Sequence, residues 1–92
     1  MARTIAFSVD GPIDRDDLPG LCARICGLLE RHRPRLALCD VGGIDPDAVT
    51  VEALARLQLG ASRHGCLILL ENASAELLEL VALMGLDDVL AG

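Results

Sequence analysis

The sequence predicts an α/β domain: a small, mostly parallel sheet of three to four strands with flanking helices, in β-α-β-α-β-α order. Three observations predict it. Short aliphatic runs at residues 4–9, 35–41 and 66–70 alternate with segments whose apolar residues recur every three or four positions. The first two runs end in turn chemistry, Asp10-Gly11-Pro12 and Gly42-Gly43. Phe7 is the only aromatic residue, so the core has to be aliphatic, which suits a parallel sheet under helices. The 92 residues are read as one domain, 1–92.

Strand one is Thr4-Ile5-Ala6-Phe7-Ser8-Val9. Ile13-Asp14 leads into helix one, with Asp17 as the expected N-cap and Pro19 in the first turn, where its missing N–H costs nothing. Leu18, Leu21, Cys22, Ile25, Leu28 and Leu29 form its apolar face. Gly20 and Gly27 weaken the helix by about 1 kcal/mol each relative to Ala, with close packing as their candidate role. Pro34 ends it. Strand two carries Leu36-Ala37-Leu38-Cys39, apolar on both faces, as a central parallel strand should be. Two glycines then allow backbone angles that other residues avoid.

Helix two runs from about 47 to 64, capped by Asp45 or Asp47. Its buried stripe is Thr50, Leu54, Leu57 and Ala61, with Val51 and Ala53 beside it. Glu52, Arg56, Leu59 and Arg63 lie opposite. Gly65 ends it and leads into strand three. Ser74 caps helix three, and Glu76 sits against its positive end. Leu77, Leu80, Val81 and Met84 form the inner face. Gly85 stops the helix so that Leu86 can fold back, and residues 87–90 can add a short helical turn.

The balance of charge and the cysteines exclude several functions. Formal net charge is −6, and all eight basic residues are Arg. Such a chain lacks the clustered cations and aromatic platforms that nucleic acids require. No apolar run approaches the ~20 residues of a membrane span, and residues 1–4 lack a signal peptide's apolar region. Cys22, Cys26, Cys39 and Cys66 all lie in apolar segments, as reduced thiols of a cytoplasmic protein do.

Cys22 and Cys26 lie one turn apart, and with His32 or His64 they match no compact zinc pattern. Both histidines fall at helix C-termini, where the helix dipole favours them. A Cys66–His64 nucleophile pair would sit two apart on an outgoing strand, where neighbours seldom face each other productively. Gly42-Gly43 is not followed by a phosphate-loop Lys. No catalytic set, metal or cofactor is expected.

The ordered motifs resemble the STAS domain of anti-sigma factor antagonists, from Thr4 to about Leu90. Val9-Asp10-Gly11-Pro12-Ile13-Asp14 looks like that family's strand and "Gly-x-Leu/Ile-Asp" step. Leu38-Cys39-Asp40-Val41 looks like its strand before the signature turn. Gly65-Cys66-Leu67-Ile68-Leu69 looks like its following strand, and Ser74 through Gly85-Leu86 its last helix. The family's usual extra N-terminal strand is short or absent here.

The resemblance implies binding and not catalysis: capture of an anti-sigma factor, often a serine kinase, and so transcription regulation. It also implies a phosphorylated Ser or Thr in the turn "Asp-Ser/Thr-Ser/Thr-Gly". This chain departs there. If Asp45 is the motif's Asp, Pro46 and Asp47 occupy the hydroxyl positions; if Asp47 is, Ala48 and Val49 do. Thr50 is the only nearby hydroxyl and falls on the buried stripe. The partner surface expected from the resemblance is Asp14, Gly43, Asp45, Pro46, Asp47, Ala48 and Val49, with Arg56 and Leu59 on helix two. Asp14, Asp16, Asp17, Asp45 and Asp47 would form an acidic rim facing a basic partner. STAS domains elsewhere respond to small molecules or sit inside transporters, so a sensor or transporter-associated module is the alternative.

Overall fold

The computed structural model describes residues 3–86. In order it contains β1 (Thr4–Ser8), a 3-10 turn (Arg15–Asp17), α1 (Leu18–His32), β2 (Leu36–Asp40), α2 (Ala48–Arg63), β3 (Leu67–Glu71) and α3 (Ala75–Leu83). The expected turn at 87–90 lies outside the described residues. Strand and helix ends differ from the expected ones by a residue or so, the ordinary uncertainty of element ends.

The three strands pair in the order β1-β2-β3, all parallel, with Ile5, Ala37 and Ile68 in one row and Phe7, Cys39 and Leu70 in another. The core gathers on this face. Ala37, Cys39, Ile68 and Leu70 join Leu21, Ile25 and Leu29 of α1, Val51, Leu54 and Leu57 of α2, and Leu77 and Val81 of α3 in one buried cluster. The stripe expected for α2 is buried throughout, Thr50 included. On α1, Cys22 and Leu28 are only half-buried, and on α3 Met84 is 41% exposed where an inner position was expected. Met84 is the C-cap, already turning away from the helix axis.

The opposite face of the sheet corrects the expectation for β2. Leu36 and Leu38 alternate with the buried Ala37 and Cys39 but are themselves only half-buried. Successive side chains of a strand point to opposite faces, so a strand apolar on both sides lies here in a sheet that buries only one.

Local signals set the ends of the helices. Ser74 Oγ accepts the Leu77 N–H at 3.1 Å, and Asp47 Oδ1 accepts the Thr50 N–H at 2.8 Å. Gly65 and Gly85 take φ of 69° and 71° beyond α2 and α3. The Leu86 N–H reaches back to Val81 C=O at 3.0 Å, and its side chain packs on the core. Asp17 differs from its expected capping role: its Oδ2 accepts the Asp14 N–H at 3.2 Å, bracing the 3-10 turn. Arg33, in the left-handed region at φ 47°, closes α1 before Pro34.

The glycine roles also change. A Cβ on Gly20 or Gly27 would meet nothing within 4 Å, so close packing is not their function. The tight approach between α1 and α2 is at Gly60, where a Cβ would lie 3.1 Å from Cys26 Sγ.

Candidate functional site

The carboxyl end of the sheet is where both acidic turns emerge, and they are pressed together. The Val9 N–H donates to Asp40 C=O at 3.0 Å, and the Gly11 N–H to Gly43 C=O at 3.2 Å. A Cβ on Gly43 would lie 2.7 Å from Asp10 Oδ1, and one on Gly11 would lie 3.0 Å from the Asp45 nitrogen. Gly42 and Gly43 are not at positive φ, so they do not supply the unusual backbone angles expected for them; the Asp10 carboxylate can swing away from a Cβ on Gly43, whereas a Cβ on Gly11 meets backbone.

Asp40 braces the corner. Its Oδ1 accepts the Gly42 N–H at 2.9 Å. That bond and one from the Asn72 side chain favour the ionised form and hold the Asp40 carboxyl below its usual range. Asn72 itself adopts the left-handed region at φ 60°. Ile44 turns inward and is buried, anchoring the middle of the loop.

Gly43, Asp45, Pro46, Asp47 and Ala48 are exposed, and Val49 is half-buried. Asp14 is exposed on the neighbouring 3-10 turn. The Arg15 guanidinium lies 3.8 Å from Glu52 of α2, tying that turn to the helix. Asp10, Asp16 and Asp17 line an open cleft of about 420 Å³ beside the corner, with Arg24 as its cationic side chain. Exposed acidic residues thus lie on both turns at this end of the sheet.

Two of the expected surface residues stand apart. Arg56 is paired with Glu52 at 2.9 Å, one helical turn back. Leu59 is 57% exposed, and at 1.5 Å per residue it lies roughly 18 Å along α2 from Asp47. Thr50 is 0% exposed, and its Oγ1 has no hydrogen-bond partner among the described residues. Its hydroxyl is enclosed by the fold.

Three of the thiols are shifted toward the protonated form. Burial pushes the Cys39 thiol up to about 12, with the Asp40 charge adding to the effect. Burial also raises Cys66, and Cys22 is raised by burial and by the neighbouring Cys26. All four cysteines are free. Among the described residues, no trio of His, Cys, Asp or Glu could hold a metal ion, and no helix is long and apolar enough to cross a membrane.

Sequence reasoning missed Asp10, Asp40, Asn72 and Gln58. The Asp40-Val41-Gly42 spacing was a usable signal, since Asp readily bonds a backbone N–H two residues on. Gln58, 7% exposed, donates from Nε2 to Ile68 C=O at 3.4 Å and accepts the Ile68 N–H at 3.0 Å. It covers the outer edge of β3 as a neighbouring strand would.

Neither a protein-family model nor a curated protein matches the chain. Among solved structures it matches a sulfate transporter family protein from Wolinella succinogenes, with a TM-score of 0.70 and 22% identity. The match covers 96% of this chain and 71% of that one. The fold is STAS-like. At that identity the likeness is one of fold. In this STAS-like frame the acidic corner follows the middle strand and opens helix two, where the resemblance places the signature turn.

Proposed function

We propose that the chain is a STAS-like regulatory binding module of the transporter-associated kind, working by docking and not by catalysis. The fold likeness to a sulfate transporter family protein carries this reading. The corner geometry supports the choice of surface: residues 42–49 form a turn at the open end of the sheet, exposed except at Ile44 and in part Val49, braced by Asp40 and capped by Asp47.

Charge then narrows the partner. Asp10, Asp14, Asp16, Asp17, Asp45 and Asp47 surround this end, so an anion such as sulfate is repelled from it. A basic protein surface is attracted, and steered on approach. The module on this reading senses or contacts a cationic loop in the cytoplasm and does not itself hold the transported ion. The raised Cys39 thiol supports a non-catalytic role, because the thiolate is the reactive form.

The corner's position after the middle strand favours a second reading, an anti-sigma factor antagonist whose partner is an anti-sigma factor or serine kinase. The enclosed Thr50 hydroxyl then means a docking face without the phosphate switch.

The test is a titration of isotope-labelled protein, followed by amide shifts, with basic cytoplasmic loops of an anion transporter and separately with a serine-kinase anti-sigma factor. Shifts centred on residues 42–49 and Asp14 with the transporter loops support the first reading. The same shifts with the kinase alone select the second. Binding that shifts only other surfaces, or no binding to either, overturns both.

A further inference from the structure

We infer that the amino end of the sheet, opposite the acidic corner, is a binding site for a small phosphorylated molecule, held by Arg33, Arg63 and His64. These three side chains, with Glu30 and the buried Leu29, line an open cleft of about 510 Å³ where α1 and α2 end. That volume lies within the range of small-molecule sites. Arg33, Arg63 and His64 are exposed, and neither arginine makes an ion pair among the described residues.

The fold collects positive charge here from separate parts of the chain. Arg31 stands in the last turn of α1. Arg3 and Arg35 precede β1 and β2, and the Arg35 N–H donates to Arg3 C=O at 3.0 Å. Strand alternation turns both side chains toward the side that the helices cover. Five of the eight arginines therefore lie at this end, in a chain of net charge −6. The ordinary role of cations here is to meet the negative ends of α1 and α2, and the magnitudes exceed that role. Two helix ends at about −0.5 each and Glu30 at −1 stand against five arginines, which leaves roughly +3.

Backbone geometry singles out Arg33. Beyond α2 and α3 the left-handed position belongs to Gly65 and Gly85; beyond α1 it belongs to Arg33, at φ 47°. Glycine takes this conformation without steric cost, and an arginine does not. The chain thus accepts strain at a helix end and gains a guanidinium at the cleft. A guanidinium is always charged, and its planar fork bonds two phosphate oxygens at once. A ring N–H of His64 supplies a further donor. Two such forks and a ring donor match the charge and the several acceptor oxygens of a phosphate monoester better than the two oxygens of a carboxylate.

This site is separate from the acidic corner, and its failure leaves the reading above untouched. The test is a titration of the isotope-labelled 92-residue chain with inorganic pyrophosphate at constant ionic strength, followed by amide and arginine side-chain shifts. Saturable shifts at Arg33, Arg63 and His64 with a Kd of about 1 mM or tighter are expected. Arg33→Gly should weaken binding roughly tenfold or more while Tm stays the same or rises, which a folding defect would not do. Arg63→Gln should weaken binding by a similar factor. Arg31→Gln, at the same end but outside the cleft lining, should change it by less than about twofold. Absence of saturation by about 10 mM, or shifts centred on another surface, overturns the inference. So does an Arg33→Gly variant that binds as wild type, or an Arg31→Gln variant weakened as much as Arg33→Gly, which would mean diffuse attraction to charge. Binding to vesicles of phosphatidylcholine and phosphatidylserine without binding to pyrophosphate overturns it as well.

Discussion

Replacing Thr50 by Val should stabilise the protein. Thr50 is fully enclosed, and its Oγ1 has no partner among the described residues. Its N–H is satisfied by Asp47 Oδ1 at 2.8 Å, a bond that Val keeps. Val has nearly the same shape, so packing is retained while the orphaned hydroxyl is removed. Leaving such a group unsatisfied costs ~1–3 kcal/mol, and the lower half of that range is the expected gain. For a domain of this size each kcal/mol raises Tm by about 4–8 °C. Thr50→Ser is the contrast: it keeps the hydroxyl and deletes a buried methyl, and should lose about 1 kcal/mol. Urea unfolding by circular dichroism reads both, as midpoint shifts at constant slope. A Val variant less stable than wild type would refute the reasoning, since it would mean the hydroxyl is bonded in solution.

Three other outcomes follow from named contacts. Gln58→Leu strands the Ile68 N–H and C=O and should cost ~1–3 kcal/mol in the same assay, with faster amide exchange in β3. Gly27→Ala enters open space in mid-helix and should stabilise by roughly 0.5–1 kcal/mol, whereas Gly11→Ala meets the Asp45 backbone nitrogen at 3.0 Å and should lower Tm. Asp40 is more acidic folded than unfolded, so its contribution is present above the unfolded value near ~4 and is lost as pH falls through the folded one. Asp40→Asn should therefore be less stable than wild type at neutral pH, with the difference shrinking below about pH 4.

The legible features of this chain were local ones. Ser74 with Leu77, Asp47 with Thr50, and Gly65 and Gly85 past their helices are signals spanning a few residues, and all act as the spacing suggests. The buried stripe of α2 was legible because helical period alone assigns it. What escaped depends on distant parts of the chain. Gln58 looks like any polar helix residue until β3 is placed beside it. Gly43 looks like a turn glycine until Asp10 is brought against it. Leu36 and Leu38 are as apolar as Ala37 and Cys39, and strand composition cannot say that only one face receives helices. In the candidate site, the corner was legible as a contiguous stretch. The separation of Leu59 from it, and the pairing of Arg56 to Glu52, came only from the fold.

The docking role of the acidic corner is tested most directly by calorimetric titration of Asp45→Arg against the cationic partner that the shift mapping selects. Asp45 is exposed, and its side chain makes no hydrogen bond or ion pair among the described residues, so the fold should be untouched. The expected result is binding weakened roughly tenfold or more, about 1.4 kcal/mol, at unchanged Tm. Binding equal to wild type by a folded Asp45→Arg protein would contradict the account.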